Sequence, residues 1–90
     1  MEKMTEQISE VDILVSKLNE VQEDITVPRN VRNQLQSIIN TLKSDVEMPI
    51  KVSKALNGLD EIANDVNLQA YTRTQIWNMI SMLEKLHQTT

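Results

Sequence analysis

A single glycine in 90 residues constrains this chain more than any motif does. Hairpins and sheet corners use residues that tolerate positive φ, so a chain this poor in glycine is ill suited to several strands. Apolar residues instead recur at steps of three and four, which lays them along one face of a helix. Met4, Ile8, Val11, Val15 and Leu18 form one stripe, and Val31, Leu35, Ile38 and Leu42 a second. Val52, Leu56, Leu59 and Ala63 form a third, and Ile76, Ile80, Leu83 and Leu86 a fourth. The pattern predicts four helices, over 4–23, 28–43, 49–64 and 70–87.

Pro28 and Pro49 stand just ahead of their stripes, where a missing N–H costs nothing and the fixed φ suits a first helical turn. The same prolines push Val27 and Met48 away from helical geometry, so the preceding helix must already have ended. The connections, 24–27, 44–48 and 65–69, are short enough to force neighbouring helices antiparallel. A 10.3 kDa chain has material for one core, so residues 1–90 are expected to form a single domain of two hairpins, 4–43 and 49–87.

Shifting the sequence by 41 residues lays Leu18–Lys43 over Leu59–Glu84, with seven of 26 pairs identical. Chance at one fixed offset gives about one or two. The matches include Leu18/Leu59, Asp24/Asp65, Arg32/Arg73 and Leu42/Leu83, so the halves read as one hairpin used twice. Residues 24–27, 45–48 and 65–68 share a further pattern of Asp, apolar, polar, apolar before a helix start. The Asp suits a turn, accepting nearby N–H groups, and both apolar residues are expected to fold over the end of the core. A repeat of this length resembles the HEAT type. Solenoids need about three repeats for stability, whereas two hairpins can close on each other. The expected fold is all-α: a four-helix antiparallel up-and-down bundle built from two repeated hairpins of period 41.

Residues 26–32 (Thr-Val-Pro-Arg-Asn-Val-Arg), residues 72–78 (Thr-Arg-Thr-Gln-Ile-Trp-Asn) and Leu83-Glu84-Lys85 resemble a small archaeal group known as uncharacterised protein family 0147. The resemblance runs from the first helix to Leu86. It implies a four-helix protein of the archaeal cytoplasm with no assigned activity and no catalytic residues to carry over. The chain departs from that pattern at Val66 and Gln69, where the family would place prolines.

Few chemistries fit the residues available. A net charge of −4 argues against nucleic-acid phosphates as the main partner. Without cysteine there is no disulfide, thiol nucleophile or thiolate zinc site. No apolar run is long enough to span a membrane, and no signal-like core opens the chain, so a soluble intracellular protein is expected. Glu84-x-x-His87 has the spacing of a di-iron half-site, but such a centre needs two such pairs and the chain has one His. Sequential carboxylates such as Glu23/Asp24 and Asp60/Glu61 point different ways on a helix and make poor acid/base dyads. No metal, cofactor or enzymatic activity is expected.

Arg32 and Arg73 sit one turn into their helices, where the helix dipole disfavours a cation. Ion pairs to Asp24 and Asp65, or to Glu20 and Glu61, would compensate. Alternatively, Arg32 and Arg73 form a paired anion site with Arg29. Trp77 borders the Ile76–Ile80 line, and packing of its indole or of a neighbouring helix over Ala55 and Gly58 would explain a glycine inside a helix. The rival reading makes Trp77 and Tyr71 exposed anchors for a partner. Met79 and Met82 read as gap-fillers at the core edge. These features favour a small interaction or assembly module that docks on a protein partner or on itself as a homodimer. Candidate contacts are Arg29, Arg32, Tyr71, Arg73 and Trp77. The alternative is an ancillary nucleic-acid role carried by Arg29, Arg32, Lys51, Lys54 and Arg73.

Overall fold

The computed structural model describes residues 10–89, with side chains as far as Leu86. Four helices follow in order: α1 (Glu10–Gln22), α2 (Arg29–Lys43), α3 (Met48–Ala63) and α4 (Ala70–Thr89). There is no strand among the described residues. The expected helix start at Met4, and Ile8 with it, lie outside them. Each helix packs on the next and α4 closes back on α1, so the four form a bundle rather than an open stack. Connections of four to six residues keep neighbours antiparallel. The α1–α2 and α3–α4 connections therefore share one end of the bundle, and the α2–α3 connection lies at the other. No described helix is long and apolar enough to cross a membrane.

Prolines act at both expected helix starts. Pro28 caps α2 with extended geometry (φ −59°, ψ 151°), and Pro49 lies in the first turn of α3. Glu47, rather than Met48, carries the extended backbone ahead of α3 (φ −63°, ψ 149°). The helix thus starts one residue earlier than the proline rule suggests.

One core joins all four helices: Leu14, Leu18 and Val21; Val31, Leu35, Ile39 and Leu42; Val52, Ala55, Leu59 and Ile62; and Ile76, Met79 and Leu83. A buried helical face takes three to four positions in two turns, wider than a single stripe. Leu14, Ala55, Ile62 and Met79 fill that extra width, while Val11, Leu56 and Ile80 move to the margin. Met79, expected at the core edge, is 1% exposed and central, whereas Met82 does lie at the edge. Gly58 marks a close approach of α2 to α3. A Cβ there would stand 2.9 Å from both Cγ1 and Cδ1 of Ile38. The neighbouring helix, not the indole of Trp77, is what lies against this glycine.

Thr72 is the buried polar exception among the described residues, 1% exposed with no hydrogen-bond partner for its Oγ1. Its counterpart 41 residues earlier is Val31, fully buried. An unpaired buried hydroxyl costs about 1–3 kcal/mol. Thr72→Val is therefore expected to stabilise the protein by about 1 kcal/mol. A thermal melt checks this: a higher midpoint is expected, and an unchanged or lower one would show that the hydroxyl is satisfied.

Candidate functional site

At the end shared by the α1–α2 and α3–α4 connections, two similar turns lie side by side. Each Asp carboxylate accepts an N–H two residues on: Thr26 N to Asp24 Oδ1 at 2.9 Å, and Asn67 N to Asp65 Oδ1 at 2.8 Å. Each Asp carbonyl then accepts the N–H of the following buried residue, Val27 at 3.1 Å and Leu68 at 3.2 Å. Such Asx turns reverse the chain without glycine, which is how a one-glycine protein makes them. The 65–69 turn forms despite Val66 and Gln69 standing where prolines were expected. Asn30 Nδ2 donates to Asp65 Oδ2 at 3.2 Å and ties the two turns together.

The arginines complete the end, though not through ion pairs. Arg73 donates from Nε to the Ala63 carbonyl (2.9 Å) and from Nη2 to the Asp65 carbonyl (2.7 Å). Arg32 Nη2 donates to the Asp24 carbonyl at 3.3 Å. The sequence-based expectation of carboxylate partners is thus corrected. The Asp carboxylates are engaged by their own turns, and the guanidiniums reach the main chain of the preceding helix end. A cation early in α2 or α4 stands beside the antiparallel neighbour's C-terminus, whose exposed carbonyls carry the negative end of the dipole. Lys51 does the same at the opposite end, with Nζ donating to the carbonyls of Leu42 (3.1 Å) and Ser44 (2.9 Å). Arg32, Arg73 and Lys51 are therefore spent on holding helix ends. Arg29 and Lys54 remain on the exposed surface.

Asp24 titrates below the ordinary carboxylate value of 3.8. The Thr26 hydroxyl, at 2.7 Å, is the first cause, followed by the Thr26 N–H and then the nearby Arg32 charge. A lowered folded pKa gives stability that is fully present above the unfolded value and is lost as pH falls through the folded one. An NMR titration is expected to place the Asp24 carboxyl below 3.8, and Thr26→Ala to return it part of the way. A wild-type value at or above 3.8 would contradict the turn geometry.

The two apolar residues expected over each core end divide. Val27 and Leu68 are 3% and 4% exposed and close the core, while Ile25 and Val66 are 87% and 89% exposed. The Asx turn is the reason. An extended chain would put residues i and i+2 on one face, but the backbone reverses over 24–27 and 65–68, so the two apolar side chains point apart and only one faces the bundle. The alternation in sequence gave no sign of this split, because it places both apolar residues on one face. At the other end, Met48 is partly buried and Val46 is exposed.

Tyr71 and Trp77 are both exposed, at 71% and 59%. The expected packing of Trp77 is therefore replaced by the exposed arrangement. Six residues apart, they lie about 120° apart around α4 and do not share one face. In place of Trp77, the first hairpin has Gln36, which bonds Gln22 Nε2 at 3.0 Å. In place of that Gln22, the second hairpin has Ala63. The structure thus brings Arg29, Arg32, Tyr71 and Arg73 to one end and sets Trp77 apart.

A cleft of about 180 Å³ lies between α1 and α4, lined by Lys17, Glu20, Val21, Gln75, Asn78 and Met79. Among the described residues, no group of three or more His, Cys, Asp or Glu could hold a metal ion. The side chain of His87, in the Glu84-x-x-His87 pattern, lies outside them.

Comparison with known proteins gives the chain relatives but no activity. A protein from Methanocaldococcus jannaschii is 41% identical over 70 residues, 77% of this chain and 75% of its own. One from Archaeoglobus fulgidus is 36% identical over 73 residues, 81% and 84% of the two chains. Each is named only as a UPF0147 protein. The crystal structure of a protein of unknown function, MMP1188, superposes with a TM-score of 0.80 at 37% identity, covering 87% of this chain and 90% of that one. The family model described as Uncharacterised protein family (UPF0147) matches residues 1–86. With likeness in sequence and fold across most of its length, the chain belongs to UPF0147, a family without an assigned function.

Proposed function

We propose that this protein is a small non-catalytic interaction module of the archaeal cytoplasm, whose helical surface docks on another protein or on itself. One observation carries this reading. The chain has two aromatic residues, and both stand in solvent rather than in the core. Aromatics bring the largest gain in apolar burial to a core, and they are enriched at contact surfaces. A core built without them leaves Tyr71 and Trp77 for contacts outside it. The reading of the chain as one hairpin used twice belongs to the same proposal. The matching turns at 24–28 and 65–69 support it, and the pattern is broken where Trp77 replaces Gln36.

Light scattering on the purified chain and cross-linked capture from native cytosol test this function with two variants, Tyr71→Ala and Trp77→Ala. Each is expected to change stability by less than about 0.5 kcal/mol, as exposed substitutions do. At least one is expected to reduce the captured partner or the dimer. If both variants melt several degrees lower, or capture is unchanged in both, the aromatics are not contact residues and this reading fails.

A further inference from the structure

We infer that the end of the bundle bearing Ile25 and Val66 is a docking surface for a basic protein segment, one whose apolar side chains are flanked by Lys and Arg. The inference rests on the interaction-module reading and names its partner class.

The two β-branched side chains are the most exposed large apolar groups described, and both occupy the same place in a turn held by an Asp carboxylate. The turns are fixed further by Arg32 and Arg73 and joined by the Asn30–Asp65 bond, so the apolar pair is presented on rigid backbone. A preorganised contact loses less entropy on binding than a loop that must first be ordered. Tyr71, in the first turn of α4, adds an exposed aromatic at the same end.

Charge selects the occupant. Residues 19–33 and 60–74, which form this end, carry six carboxylates (Glu20, Glu23, Asp24, Asp60, Glu61, Asp65) against three guanidiniums. That is −3 of the chain's formal −4. Two of the guanidiniums are turned onto main-chain carbonyls, leaving an apolar pair within an acidic surround. Like charge opposes a second copy docking through the same end, and it equally opposes phosphate backbones and anionic lipid. A basic segment with apolar side chains matches both features.

The test uses isotope-labelled full-length protein and an amphipathic helical peptide of lysine and leucine, with a lysine–serine peptide of equal charge as control. Amide shift changes are expected at residues 20–30 and 60–71, with binding weakened at least tenfold in Ile25→Ser/Val66→Ser. Glu23→Gln/Asp60→Asn/Glu61→Gln is expected to weaken it severalfold, and all these exposed sites leave the fold intact. Asp24 and Asp65 are spared because their carboxylates hold the turns. No binding, equal binding of the control peptide, or insensitivity to the double substitution would overturn the inference. So would equivalent shifts with phosphatidylglycerol vesicles, or shifts at these residues that grow with protein concentration alone. Shifts confined to the Trp77 flank would overturn it too, while leaving the interaction-module reading standing.

Discussion

Leu59→Ala is expected to lower stability by about 3 kcal/mol, within the range of about 2–5 found when a buried leucine is cut to alanine. Leu59 is fully buried and belongs to the core that joins all four helices. The loss combines the transfer energy of the removed atoms with a cavity that a closed bundle cannot readily collapse. A domain of this size holds about 5–15 kcal/mol in total, so a fifth or more of it would be lost. Val66→Ala, seven residues away, removes two methyl groups from a side chain 89% exposed and is expected to change almost nothing. Urea unfolding of the two variants checks the contrast. Similar midpoints would mean that Leu59 is not in the core.

Arg73→Met is expected to cost about 2 kcal/mol, because two charge-assisted bonds are lost and the Ala63 carbonyl loses its guanidinium donor, while the Asp65 carbonyl keeps the Leu68 N–H. Arg73 is only partly buried, which holds the cost below that of a fully buried charge pair. Arg32→Met is expected to cost under about 1 kcal/mol, since a longer single bond is lost and a buried Nε without a partner is removed with it. For a domain of this size each kcal/mol moves the melting temperature by roughly 4–8 °C, so the two variants separate in a simple thermal scan. Equal losses would favour the ion pairs that the sequence suggested. A larger loss for Arg32 would contradict the geometry outright.

The difference between those two readings shows what sequence can carry. Four helices were legible because glycine scarcity, two prolines and apolar spacing agree, and each constrains the backbone locally. Arg32 and Arg73 were legible as unusual, because a cation early in a helix needs an explanation. Their partners were not, since a carboxylate and a backbone carbonyl stand close together in an Asp-centred turn and composition shows only the carboxylate. Ile25 was misplaced for a related reason. Hydrophobicity puts it inside, while the Asx turn that puts it outside is a hydrogen bond visible only in three dimensions. Met79 and Trp77 divide on helix geometry: they lie on opposite flanks of the Ile76–Ile80 line, about 160° apart around α4, and a stripe of three and four does not say which flank faces the core. The Thr72 hydroxyl gave no sign, because a buried threonine and an exposed one fit the helical pattern equally well.

In the proposed docking role, these turns matter because of what they hold still. An apolar side chain on a mobile loop is a common surface feature, whereas two such side chains on pinned, adjacent turns form a surface that a partner can meet without ordering it first. Backbone order parameters from nitrogen-15 relaxation at residues 24–28 and 65–69 test this most directly. Values near the rigid-backbone level of about 0.85, matching those within α2 and α3, are the predicted result. Values below about 0.6 at Ile25 and Val66 would mean that the arginines and aspartates do not fix these turns, and the account of this end would not stand.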